Sequence, residues 1–108
     1  MYAVIFEVEI KLEGKEEYLQ LAADLRNELD HMDGFISVER FQSLVNEGKL
    51  VSLSFWESEK AISNWRNNIN HKIAQKKGRY KLFSDYRLRV AHIVRDYGLN
   101  SREQAPKE

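Results

Sequence analysis

Between Tyr2 and Ile10 the positions alternate, with Tyr2, Val4, Phe6, Val8 and Ile10 on one side and Ala3, Ile5, Glu7 and Glu9 on the other. A two-residue period in a run rich in β-branched and aromatic residues predicts a strand. The period then lengthens. From Lys15 to Met32 the apolar residues Tyr18, Leu21, Ala22, Leu25, Leu29 and Met32 recur at steps of three and four, which predicts an amphipathic helix. Glu16 and Glu17 occupy its first turn, where the positive end of the helix dipole favours them, and Gly34 follows as a stop. Two short alternating runs, Phe35 to Gln42 and Leu50 to Trp56, flank a polar stretch around Asn46 and Gly48, the pattern of an antiparallel hairpin. Ser58 stands as an N-cap before a second apolar stripe of Ala61, Ile62, Trp65, Ile69 and Ile73. The asparagines in the run to His71 compete for backbone hydrogen bonds, so a break or bend is expected near Asn70. The last run, Leu82 to Tyr97, alternates as one long strand. Gly14, Gly34, Gly48, Gly78 and Gly98 each mark a change of period.

Strand, helix, strand, strand, helix, strand is the ferredoxin-like βαββαβ order, an α+β fold with two helices on one face of an antiparallel sheet. It occupies residues 1–98; residues 99–108 have little to bury and are expected to form a flexible tail. One face, with Val4, Phe6, Val8, Ile36, Val38, Val51, Leu53, Phe55, Leu88, Val90 and Val94, is expected to meet the helices. The other mixes Ile5, Phe35, Phe41, Trp56, Ala91 and Ile93 with Glu7, Glu9, Ser52, Ser54, Arg87 and Arg89, too apolar for open water. Burying ~600 Å² of it against a second copy would gain on the order of 15 kcal/mol before association costs. A homodimer joined through this face is therefore expected, with Glu7 and Glu9 pairing with Arg87 and Arg89 across the neighbouring first and last strands.

Composition removes several classes. The 108 residues suit one domain, and 17 basic residues balance 17 acidic ones, so no field favours nucleic acid or an anionic membrane. Cysteine is absent, which excludes thiolate metal sites, disulfides and a cysteine nucleophile. The amino-terminal run meets charge at Glu7 and resembles neither a secretion signal nor a span, so a cytoplasmic location is expected. No glycine-rich phosphate loop, nucleophile elbow or paired-histidine zinc motif occurs.

Trp65 is in phase with Ile62 and Ile69, where core filling outweighs ligand stacking, although an indole there can also wall a pocket. Trp56 reads as structural. His31 suits a helix carboxyl end, His92 a satisfied core imidazole, and His71 either a solvated side chain or a proton carrier; no two histidines have metal-ligand spacing. The basic cluster at 76–81 reads as a solvated turn rather than a phosphate site.

These features resemble the antibiotic biosynthesis monooxygenase (ABM) superfamily of dimeric α+β barrels. The resemblance is carried by Asp33-Gly34-Phe35, by Ser54-Phe55-Trp56-Glu57-Ser58, by Trp65 followed six residues later by His71, and by the closing run Tyr86 to Tyr97. It implies a pocket between helices and sheet in each subunit, used by some members for oxygenation without a cofactor and by others for haem breakdown. For an oxygenase of a small aromatic or quinol-like compound, it casts Trp65 and His71 as the catalytic pair. Phe6 and Phe55 would then be walls, and Arg40 or Tyr86 would sit near a developing oxyanion. Haem binding is the alternative; the strand asparagine of haem-degrading members is replaced here by the run Phe6, Glu7, Val8. A non-catalytic dimeric ligand-binding protein is the third reading.

Overall fold

The computed structural model describes residues 1–75 and 83–107, apart from the side chains of Leu12, residues 70–75 and Phe83. Strand β1 (Tyr2–Ile10) is followed by a short 3-10 turn and helix α1 (Lys15–Leu29). The hairpin of β2 (Phe35–Gln42) and β3 (Lys49–Trp56) leads to α2 (Glu59–Gln75) and then β4 (Phe83–His92). The strands form one antiparallel sheet in the order β2-β3-β1-β4. The two helices pack on one side of it, as the sequence pattern predicts. Ser58 caps α2, its hydroxyl accepting from the Ala61 amide at 3.1 Å. His31 closes α1, with its Nδ1 2.7 Å from the Asn27 carbonyl. The hairpin loop is held by the Asn46 side chain, which accepts from the Gly48 amide and donates to Glu9 on β1.

Residues paired directly across an antiparallel sheet share a face, and the register gives four transverse rows on the helix side. From β2 to β4 they are Phe35, Trp56, Tyr2, His92; Val38, Ser54, Val4, Val90; Arg40, Ser52, Phe6, Leu88; and Gln42, Leu50, Val8, Tyr86. This corrects the expected placement of β3. Val51, Leu53 and Phe55 face away from the helices, while Ser52, Ser54 and Trp56 face them, and Phe35 joins the helix side through a register shift beside Ser37. The physical reason is Trp56, which at 1% exposure is among the largest fully buried side chains and fixes the parity of its strand. Its indole N–H donates to Ser54 Oγ at 2.9 Å, so the polar atom is satisfied within the core.

Two further expectations are corrected. Helix α2 runs unbroken through Asn70 to Gln75, because an asparagine costs an exposed helix only a few tenths of a kcal/mol, roughly, relative to its neighbours. Strand β4 stops at His92 rather than Tyr97, since Tyr2 is the last β1 residue available to pair with it; Ile93 then donates to the Met1 carbonyl. Gly78 and the basic cluster at 76–81 lie outside the described residues. Residues 96–105 turn back on themselves, with the Asp96 amide bonded to Gln104 and Arg102 over the Tyr97 ring. None of the described helices is long and apolar enough to cross a membrane.

Candidate functional site

The helix-side core is divided in two. Val8 and Leu50 pack with Tyr18 and Leu21 of α1, whereas Trp56 packs with Leu29 of α1 and Ala61 and Ile62 of α2. Between these clusters lies the row Arg40, Ser52, Phe6, Leu88. Ser52 sits on an inner strand beneath the helices, yet it is partly exposed while Leu50 and Ser54, on either side along β3, are buried. Ser52 puts a small hydroxyl side chain at the middle of the row, and the row with the cluster on either side of it forms the furrow of the candidate site. Phe6 leans on the first cluster, and its ring lies 5.8 Å from that of Tyr86. Trp65 packs against the second cluster, 6.4 Å from the Trp56 ring. On β4 the helix side is open, with Tyr86 63%, Leu88 51% and Val90 44% exposed.

Of the candidate residues, Phe6, Arg40 and Tyr86 thus share the helix side of the sheet, and Trp65 belongs to the helix above the same side. Phe55 does not join them. It pairs with Ala3 and Ser37 on the opposite face, so it cannot be a wall of this furrow. The unbroken α2 sets the α-carbons of Trp65 and His71 about 120° apart around the axis at 3.6 residues per turn; the His71 side chain lies outside the described residues. His92 is exposed rather than buried, with its ring 4.9 Å from that of Tyr2. Ser52 escaped sequence reasoning because β3 was given the other parity; the burial demand of Trp56 was the signal that could have found it.

The opposite face carries charge among apolar side chains. Glu7 accepts from Arg89 at 2.8 Å and lies 3.5 Å from Lys49 Nζ. The Arg89 hydrogen bond holds the Glu7 carboxyl below its ordinary range, with burial acting against it and the Lys49 and Arg89 charges acting with it. Glu9 faces Asp85 rather than an arginine and accepts from Asn46 instead. Arg40, on the helix side, has a buried Nε without a hydrogen-bond partner among the described residues.

The family model described as antibiotic biosynthesis monooxygenase matches residues 1–77. The chain belongs to this family. A curated relative, the jasmonate monooxygenase ABM of Pyricularia oryzae, is 44% identical over 94 residues, covering 87% of this chain and 44% of that protein. The chain therefore spans less than half the length of that relative. The uncharacterized protein YqjZ of Bacillus subtilis is 33% identical over 94 residues, covering 87% of this chain and 80% of that one. Among solved structures, the haem degrader MhuD of Mycobacterium tuberculosis, with two haems in its active site, superposes with a TM-score of 0.68 at 20% identity, covering 91% of this chain and 100% of that one. That likeness carries the fold alone.

Whether a haem suits this ABM chain depends on its donors. On the helix side β1 presents Tyr2, Val4, Phe6, Val8 and Ile10, none of which ligates or hydrogen-bonds an iron-bound group from the centre of the strand. The described imidazole on this side, His92, stacks on Tyr2 in the end row. Among the described residues no imidazole faces the middle row of the sheet, and the side chain of His71 lies outside them, so no step below is routed through a haem.

Proposed function

We propose that this ABM protein is a monooxygenase that oxidises a small, electron-rich aromatic or quinol-like compound in the furrow between its two core clusters, without a metal or flavin. The observation that carries the reading is the part-exposed row between the two core clusters, which holds Phe6 with its ring 5.8 Å from that of Tyr86, while Trp65 packs against the cluster on the other side. Apolar walls lower the local dielectric and keep water from the reacting carbon. Loss of a proton to His71 converts the bound substrate to an anion rich enough in electrons to react with dioxygen. The Tyr86 hydroxyl donates to the oxyanion that develops. One oxygen atom enters a carbon of the substrate, the substrate as a whole loses two hydrogens, and these leave with the other oxygen atom as water. The substrate supplies all four electrons, so the stoichiometry closes without an external reductant.

Oxygen uptake with a panel of hydroquinones and anthrones tests the reading. Trp65→Ala and His71→Ala should each lower the rate at least tenfold; rates unchanged by both substitutions would remove these two residues from the site. Haemin titration separates the haem alternative, which requires an absorbance shift that His71→Ala abolishes.

The reading includes a homodimer through the face opposite the helices. What supports it is the apolar character of that face, where Ile5, Val51, Leu53 and Phe55 lie beside Phe41, itself 46% exposed. Light scattering should give twice the chain mass, and Leu53→Lys should halve it. A wild-type monomer at micromolar concentration would dispose of the dimer.

A further inference from the structure

Arg40 is a cation on the helix side of the sheet with no ion pair to an acid among the described residues. The chain has as many acidic as basic residues, yet those around the sheet are committed elsewhere. Glu7 pairs with Arg89 and Lys49 on the opposite face, and Glu9 takes the Asn46 amide. Glu39 pairs with Leu53, which also places it on the opposite face. On α1, Asp24 accepts from Gln20, Glu28 from Asn68, and Asp30 pairs with Arg26. The neighbours of Arg40 along its own face are Val38 and Gln42. Gln42 turns its amide into the hairpin loop, donating to the Glu47 and Lys49 carbonyls at 2.8 and 3.0 Å. Ser52, across the strand pair, is the neutral partner in the row. What remains is a buried Nε–H with no acceptor among the described residues. A buried unpaired donor on a charged group is costly to the free protein, and the unbalanced charge is offset when an anion reaches the outer nitrogens of the same guanidinium.

We propose that the substrate of this site carries a carboxylate, which seats on the two Nη groups of Arg40 while its apolar body lies along the row over Ser52 and Phe6 towards Leu88. The proposal rests on the preceding reading of the furrow as a substrate site and names the class of compound it takes. A guanidinium edge presents two parallel donors that match the two oxygens of a carboxylate. One fixed positive charge neutralises one negative charge, so a monoanion leaves no net charge in the furrow and a phosphate dianion does. Strand spacing sets the length. From β2 to β1 is about 10 Å and from β2 to β4 about 14 Å. The acid and the ring of such a compound are therefore separated by a short aliphatic chain rather than joined directly, and the reacting end falls near Tyr86 and Trp65.

The test uses the full chain and isothermal titration at low salt with 4-phenylbutyrate, its methyl ester and phenyl phosphate. The acid should bind at least tenfold tighter than the ester and tighter than the phosphate. Arg40→Gln should weaken the acid at least tenfold, leave the ester within twofold, and so erase the preference; Arg40→Lys should retain part of it. Arg40→Met should leave the melting temperature of the free protein unchanged or raised, because a donor without an acceptor is removed, whereas a structural arginine would lower it. Equal binding of acid and ester, no binding of either at millimolar concentration, tighter binding of the phosphate, or a preference that survives in Arg40→Gln would each overturn the proposal. The wild-type comparison of acid with ester decides the matter even where the Gln variant does not fold. These readouts need no turnover. Failure of oxygen uptake with acid preference intact would sink the oxygenase reading alone, and uptake without acid preference would sink this one alone.

Discussion

Gly34 joins the end of α1 to β2 at a point where both backbone shape and space require glycine. Its φ of +82° lies in the left-handed region, and a β-carbon there would stand 2.7 Å from the Ala61 β-carbon on α2. Its carbonyl also accepts from the Glu57 amide at 2.8 Å, so the segment cannot swing aside without losing the link to the start of α2. Gly34→Ala therefore meets two costs. An L-residue in this conformation costs roughly 1–2 kcal/mol, and forcing an extra methyl into a packed contact costs roughly 1–3 kcal/mol. The total of about 2–5 kcal/mol is a large part of the stability of a small domain. Urea denaturation followed by tryptophan fluorescence measures it, since Trp56 lies in the same cluster as Ala61. Ala61→Gly removes the opposing methyl at a helix-propensity cost of about 1 kcal/mol. In the double variant the collision is gone and the backbone cost stays, so it should be more stable than additivity gives by about 1–3 kcal/mol. A single Gly34→Ala variant within about 0.5 kcal/mol of wild type, or strict additivity in the cycle, would refute the account.

Other outcomes follow from the same geometry. Ser54→Ala leaves the Trp56 indole N–H buried without its acceptor and should lower stability by about 1–3 kcal/mol in the same urea assay; an unchanged midpoint would contradict this. Phe6→Ala should weaken binding of an aromatic ligand while Phe55→Ala leaves it within twofold, because the two rings lie on opposite faces; equal losses would contradict the register. The folded-state value of Glu7 is depressed below its ordinary 4.5, so its contribution is present above that pH and is lost as pH falls through the lower folded value. Melting temperature recorded between about pH 6 and 3 should fall less steeply in Arg89→Met than in wild type, and parallel curves would remove the assigned role.

Local signals made much of the fold legible. Alternation marked β1, three- and four-residue steps marked α1, and Ser58 marked the start of α2. Parity of β3 was not legible from alternation, since this sheet has apolar residues on both faces and Val51, Leu53 and Phe55 make the cleaner stripe. Only the cross-strand register, with Trp56 opposite Tyr2, resolves it. The end of β4 depends on where its partner strand stops, which the alternation of β4 itself does not encode. For the same reasons Phe6, Arg40 and Tyr86 were found on one side of the sheet, Phe55 was misplaced, and Ser52 went unnoticed.

The row Arg40, Ser52, Phe6, Leu88 draws one residue from each strand and lies between two clusters that hold the helices down, the first of which takes only Phe6 from it. On the proposed reading of this row as the substrate site, exchanges at Arg40, Ser52 and Leu88 would reshape what the molecule accepts while the anchoring interiors stay as they are. Selection for a new compound would then act on a tray set between two fixed supports, at little risk to folding.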